Sequence, residues 1–290
     1  MFFIRLLSRL PLSAFYVISD FLFLITYYVV GYRRKLVRKN LKNAFPEKDK
    51  KSLRKIERDF YRNLCDYGVE MLKTVTMSRE EMMRRMVFRN PEVVEQFKNA
   101  GQSIIFFASH QFNWEWLLIS ASASHPMPID FVYQPVNNKF FDKLMLHVRT
   151  RFGGYPIRRD EVARELVKRK NILRIIATVS DQYPGYGRDK KYSTTFLNQE
   201  TVFFMGANSL AYLSQYPAMY YKCRKIRRGY YESTPVIIAL PPYPKDSLKV
   251  IEGYVRVVEE VIREYPQGWL WSHNRWKKRH LQQASQTQTP

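Results

Sequence analysis

Two cysteines in 290 residues, Cys65 and Cys223, form neither a CxxC pair nor an evenly spaced framework. Such a count excludes a disulfide-built scaffold and a Cys-ligated zinc module, and leaves two buried thiols as the expectation. Acidic residues are scarce as well: 26 Asp and Glu stand against 48 Lys and Arg, a formal net charge of +22. A charge that large speaks to partners, which would be nucleic acid, an anionic membrane, or an acidic protein or substrate. Nucleic acid fits poorly, because the basic residues are scattered and no zinc-finger or RRM signature occurs. A Walker A loop, a GxGxxG turn and an HExxH helix are all missing, which removes the nucleotide-loop, dinucleotide and zinc-peptidase readings. Neither a metal nor a bound cofactor is expected.

What the chain has in quantity is apolar side chains, 46% of all residues, with aromatics alone at 15%. The N-terminus concentrates them. Leu10 to Tyr32 carries one charge, Asp20, over a length sufficient to cross a bilayer core. A mid-segment carboxylate is costly in hydrocarbon, so spanning the bilayer and lying in its interface both stay open. Arg5 and Arg9 precede the segment, whereas Arg33, Arg34, Lys35, Arg38, Lys39 and Lys42 follow it. If the segment spans, that asymmetry keeps the remainder in the cytoplasm; if it lies flat, the same cluster meets anionic headgroups. The segment lacks a small-residue cleavage site and is too long for a signal-peptide core, so retention is expected.

Beyond it, Leu53, Ile56, Phe60, Leu64 and Leu72 fall at helical spacing, and Ser78 with Glu81 forms a capping box. Pro91 sits near the first turn of another helix, "PEVVEQF". Apolar runs at 103–108, 129–134 and 172–180 read as buried strands. Helical stretches at 113–124, 138–152 and 160–169 separate them. A helix near 205–214, strands near 218–223 and 236–240, and a helix over 247–264 follow. This alternation predicts an α/β fold: a mixed, largely parallel sheet flanked by helices, with a membrane-associated N-terminal helix. The expected organisation is a helix and basic flank over 1–45, a main domain over 46–280, and a polar, disordered tail over 281–290.

The first of those strands ends in "IIFFASHQFNWEW", residues 104–116. Ligand sites of open α/β sheets gather at the carboxyl ends of strands, where His110 falls. On one continuous helix His110 and Glu115 would diverge, since five residues advance about 500°. They meet only if His110 lies in a turn and Glu115 in the first helical turn, with Asn113 as N-cap. An imidazole so placed takes a proton from an attacking hydroxyl, and a carboxylate fixes its tautomer. By spacing alone, a structural histidine closing a strand is an equally good reading.

"ASHQFNWEW" resembles the His-x4-Asp/Glu block of the lysophospholipid acyltransferase superfamily, and its Asn-Trp-Glu end resembles the bacterial lipid A late acyltransferase branch. In the order of that branch follow or precede "RRKLVRKNLKNAFPE", "FVYQPVNNKFFDKLMLHVRTRFGG", "VSDQYPG" and "YPQGWLWSHNRWKKR", so the resemblance covers about residues 1–280. It implies a glycerol-3-phosphate acyltransferase-like fold. The implied reaction moves an acyl chain from acyl carrier protein, an acidic co-substrate, to a hydroxyl of a membrane glycolipid at the cytoplasmic face of the inner membrane. His110 would be the general base and Glu115 its partner. Arg149, with Arg151 beside it, would bind phosphate or stabilise developing charge. Asp181 would position the acceptor. Arg275, with Trp271, His273 and Lys277, would close the site or touch lipid phosphate. Departures from the branch are Ser109, Gln134, the stretch "FLNQE" at 196–200, and Asn274. They leave open a different lipid acceptor, such as a phosphoglycolipid, lysophospholipid or aminolipid. A non-enzymatic basic membrane-surface protein is the other alternative.

Overall fold

The computed structural model describes residues 2–185 and 189–277; the tail at 281–290 lies outside them. Two helices open the chain, α1 (Phe2–Ser8) and α2 (Leu12–Leu24). The second continues through a π-helical turn, Ile25–Val30, to Gly31 in the left-handed region. α3 (Arg34–Ala44) and α4 (Lys50–Thr74) follow. Asp49 caps α4 by accepting the Ser52 N–H, and Ser78 caps α5 (Arg79–Arg85) by accepting that of Glu81, as the capping box requires.

The α/β portion then runs β1 (Met86–Phe88), α6 (Glu92–Asn99), β2 (Ile104–Ala108), α7 (Trp114–Ser124), β3 (Ile129–Tyr133), α8 (Lys139–Thr150), β4 (Tyr155–Arg158), α9 (Val162–Lys168) and β5 (Ile175–Val179). A hairpin, β6 (Lys191–Phe196) and β7 (Gln199–Phe204), leads into α10 (Gly206–Ser214). The long hairpin of β8 (Ala218–Arg227) and β9 (Tyr230–Ala239) and the helix α11 (Lys249–Glu264) complete the series.

Seven strands form one sheet in the order β1-β9-β8-β2-β5-β3-β4. Every pairing in it is parallel except β8 with β9. The expected mixed, largely parallel sheet is therefore present, and its central strands read as unbroken apolar runs because helices cover both faces. Ile105 and Phe107 of β2 enter one core with residues of α10 and α11. Ile104 and Phe106 enter the other with residues of α7 and α8.

The apolar N-terminal helix packs on this body. Among the described residues it is the one helix long and apolar enough to cross a membrane, over Leu12–Val30. Phe15, Phe23 and Tyr27 are buried, while Val17, Phe21, Tyr28, Val29 and Val30 stay exposed. Asp20, the charge that made a clean span costly, is held by both terminal nitrogens of Arg228, at 2.7 and 3.0 Å. The same guanidinium reaches Asp66 of α4, which also accepts the Ser19 hydroxyl at 2.8 Å. Both cysteines are free and buried, and burial pushes their thiols up to about 11 for Cys65 and about 12 for Cys223.

Four strands escape the apolar-run criterion for identifiable reasons. β1 is three residues long. β4 is an edge strand interrupted by Pro156, where proline is tolerated. The β6–β7 hairpin is polar, and its two-residue turn uses Leu197 and Asn198 at φ 49° and 61° instead of glycine.

After α11 the chain makes a short turn, Pro266–Gly268, and runs beside the segment following β2. The Phe112 N–H donates to the Gly268 carbonyl at 2.7 Å, and the Leu270 N–H to the His110 carbonyl at 3.1 Å. Phe112 is held at φ 48°, a costly conformation for an aromatic residue. Its ring lies so close to Gly268 that a Cβ there would stand 2.7–2.8 Å from three ring carbons. Gly268→Ala is therefore expected to displace the buried Phe112 ring and lower stability by about 1–3 kcal/mol, as overpacking does. Urea unfolding in detergent measures it, and a variant as stable as the parent would contradict the packing described.

Candidate active site

Register determines where the site forms. Ala108, the last residue of β2, is level with Val179, the last of β5. His110 and Asp181 each lie two residues further and so emerge side by side. Tyr254 of α11 ties the two ends together: its hydroxyl donates to the Ala108 carbonyl at 2.9 Å and accepts the Ser180 N–H at 3.2 Å.

His110 is bound to Asp181 twice, through Nδ1 at 2.6 Å from Oδ1 and through its backbone N–H, which donates to Oδ2 at 3.0 Å. The Trp269 indole N–H donates to Oδ2 at 2.7 Å. Burial alone would raise the Asp181 carboxyl. The neighbouring imidazole and these hydrogen bonds outweigh it and hold the group below its ordinary value. An ionised carboxylate only accepts, so Nδ1 carries a proton, and in the neutral tautomer the lone pair lies on Nε2. No described residue hydrogen-bonds Nε2, and the side chain is 20% exposed against 1% for Asp181. A histidine with this tautomer and an accessible Nε2 can act as a general base.

The expected partnership of His110 with Glu115 is not the one the structure makes. Asn113 does cap α7, its Oδ1 accepting the Trp116 N–H at 2.9 Å, and Glu115 does fall in the first helical turn. Its buried carboxylate, however, faces Arg149 of α8, which grips it with Nε at 2.8 Å and Nη2 at 2.5 Å. The helical advance from Asn113 carries Glu115 toward α8, while the strand register gives the imidazole a nearer carboxylate. Between the two pairs stands Trp114, edge-on to His110 with ring centroids 5.0 Å apart and stacked on Tyr67 at 4.2 Å.

The remaining candidates separate. Arg151 is turned away: its terminal nitrogens donate to the carbonyls of Thr74 and, at 3.0 Å, Met77, closing the C-terminal end of α4. Arg275 is fully buried, over the Phe203 ring at 4.2 Å, with Nη1 on the Thr201 hydroxyl at 2.8 Å and no hydrogen-bond partner among the described residues for Nε or Nη2. Burial draws it down to about 10, against the opposing pull of Asp181. His273 accepts the Tyr183 N–H through Nε2 at 3.1 Å, and burial draws it down to about 4, so it is neutral. Trp271 is buried against Phe45, and Lys277 lies over the Tyr183 ring at 5.2 Å. Among the described residues no cluster of three or more His, Cys, Asp or Glu side chains suits a metal ion.

One residue the sequence reading passed over is Glu70 of α4. Its carboxylate, fully buried, accepts from Asn113 Nδ2 at 2.6 Å, from the Tyr16 hydroxyl of α2 at 2.9 Å and from the Tyr231 hydroxyl of β9 at 2.9 Å. Through Asn113 it joins the apolar helix to the turn bearing His110. The available signal was the recurrence of Asp66, Glu70 and Lys73 at helical spacing.

Residues 1–278 match the model of the bacterial lipid A biosynthesis acyltransferase family, and the chain belongs to that family. No curated protein matches it significantly.

Burial pushes Glu70 up to about 7 from an ordinary value of 4.5, with Asn113 opposing. A carboxyl raised in the folded state favours folding fully below pH 4.5, and that contribution is lost as pH rises through about 7. The loss amounts to about 3 kcal/mol. Glu70→Gln has no charge to desolvate, so its stability relative to the parent should rise between those pH values. Urea unfolding of both proteins across the range tests this, and parallel stability profiles would contradict it.

Proposed function

We propose that this lipid A biosynthesis acyltransferase transfers a fatty acyl chain from the thioester of an acyl carrier protein to a hydroxyl of a membrane glycolipid, with His110 as general base. The observation that carries the reading is the His110 Nδ1–Asp181 bond, with Nε2 left unengaged by any described residue. Nε2 takes the proton of the acceptor hydroxyl as its oxygen attacks the thioester carbonyl. Asp181 holds the tautomer and stabilises the imidazolium that forms. The tetrahedral oxyanion collapses, the C–S bond breaks, and the departing thiolate takes the proton back from Nε2. The products are an ester and the free carrier thiol. The chemistry calls for no metal or bound cofactor.

Glu115 and Arg149 enter as a positioned pair. The bidentate grip fixes the guanidinium, whose remaining N–H groups stabilise negative charge on the acyl carbonyl or on a glycolipid phosphate. Arg275 biases Asp181 toward its ionised form and does not contact the glycolipid, a change from the role its motif implied.

The bilayer supplies the acceptor. The exposed flank of α2 enters the interfacial layer of the inner membrane, on the cytoplasmic face, and the Asp20–Arg228 pair keeps the helix docked to the body instead of crossing the bilayer. The net charge of +22 suits both that surface and an acidic carrier.

Replacing His110 by alanine removes the proton acceptor, so turnover should fall by about 10²–10⁴. The assay is mass spectrometry of the glycolipid after incubation with acyl carrier thioester, where each transfer adds one acyl mass. A folded, membrane-bound His110→Ala protein that transfers acyl chains at the parent rate would refute the assignment.

A further inference from the structure

A groove of about 960 Å³ opens between the end of the apolar helix and the first turns of α4, well removed in sequence from the catalytic turn. Its walls are cationic. Arg34 and Arg38 of α3 line it and share the buried Glu57, each at 3.0 Å. Lys50, Lys51, Arg54 and Arg58 of α4 also line it, all exposed, and none forms an ion pair with a described residue. A smaller recess of about 200 Å³ continues past Arg38 and Arg54 and adds Lys42.

This charge stands where local electrostatics disfavours it. The first turn of a helix is the positive end of its dipole and favours acids. In α4 that turn holds Lys50 and Lys51 and no acid beyond the Asp49 cap before it, and Arg54 and Arg58 continue the same stripe at four-residue spacing. Seven cations line the main groove once Lys55, which pairs with Asp59, is counted, and the acid Glu57 lines the adjoining recess. A bound anion relieves the mutual repulsion, which the single Asp49 carboxylate at the helix start does not offset.

The groove's other wall identifies the anion's source. Tyr27 and Tyr28 line it, and the helix continues directly into Val29 and Val30, which are 79% and 66% exposed. Leu24 and Phe21 extend the same uncovered apolar surface. An acidic protein would neutralise the cations and leave that surface in water. A bilayer takes up the apolar flank and sets its headgroups at the level of the cations, within a Debye length. We propose that this groove docks the phosphate headgroups of anionic phospholipids and so fixes the orientation of the chain on the membrane. The proposal rests on the membrane reading of α2 above.

Co-flotation of the full chain tests it, with vesicles of phosphatidylcholine alone and of equimolar phosphatidylcholine and phosphatidylglycerol. The parent should bind the anionic vesicles at least about tenfold more tightly. A variant with Lys50, Lys51, Arg54 and Arg58 all changed to Glu should lose that increment and keep its affinity for phosphatidylcholine. The same four changed to Gln, which removes charge without reversing it, should lose most of it. A control that reverses four exposed lysines outside the groove, Lys98, Lys170, Lys245 and Lys249, should keep the preference. Circular dichroism and unfolding establish that each variant is folded. Retention of the preference by both groove variants, or its equal loss in the control, would overturn the groove assignment alone. Failure of the parent to bind either vesicle would overturn the membrane reading and the groove with it. Groove variants that lose acyl carrier binding and keep the vesicle preference would give the groove to the carrier and overturn the proposal.

Discussion

The hydrogen bond between His110 Nδ1 and Asp181 is the contact on which the site depends, and it is a consequence of sheet register. Two strands of five residues end level, Ala108 beside Val179, and the polar residues that follow them have nowhere to diverge. Burying a carboxylate there is expensive unless donors meet it. Two come from His110 itself and one from Trp269, which the C-terminal segment delivers by pairing with the turn that bears His110. Asp181 is thereby kept ionised inside the protein, and an ionised Asp181 determines which nitrogen of His110 is basic.

The same economy explains why segments far apart in sequence belong to one unit. Asn40 of α3 donates to the Trp271 carbonyl at 3.0 Å, and Phe45 packs on the Trp271 ring, so the basic N-terminal segment holds the C-terminal segment in place. That C-terminal segment carries Gly268 and Trp269, which shape the turn at Phe112 and satisfy Asp181. From the other side, Glu70 joins Tyr16 of the apolar helix to Asn113, the cap of α7. A displacement of the apolar helix would break the Tyr16–Glu70 bond, and the same carboxylate holds Asn113, the neighbour of strained Phe112. The apolar helix and the turn bearing His110 thus share one polar network, and the groove proposed to dock headgroups lies at the other end of that helix.

Much of this was legible in the chain, for physical reasons. Apolar runs at β2, β3 and β5 marked a sheet buried on both faces, and the Ser78 and Asn113 caps marked helix starts, because those signals are local. The β6–β7 hairpin and the basic end of β8 were hidden, since polar residues interrupt the few apolar ones, such as Phe196 and Phe203, that the hairpin buries. His110 was legible as the residue closing a strand. Its partner was not, because adjacency of β2 and β5 is set by a crossover that spacing cannot reveal. Glu115 was five positions away and Asp181 seventy-one, and proximity in sequence favoured Glu115 over the carboxylate that meets the imidazole. Arg151 and Arg275 read as ligand cations by motif; their actual neighbours, helix carbonyls and a buried aromatic nest, are products of tertiary packing.

If Asp181 orients His110, the two act as one catalytic unit, and their losses do not multiply. The direct measurement is a double-mutant cycle on acyl transfer with His110→Ala, Asp181→Asn and the pair, each shown to be folded and membrane-bound. The account predicts that Asp181→Asn impairs turnover severely and that the double variant is no slower than His110→Ala alone. Independent, multiplying losses would contradict it, as would an Asp181→Asn enzyme with near-parent turnover, and the pairing of His110 with Asp181 would then be structural only.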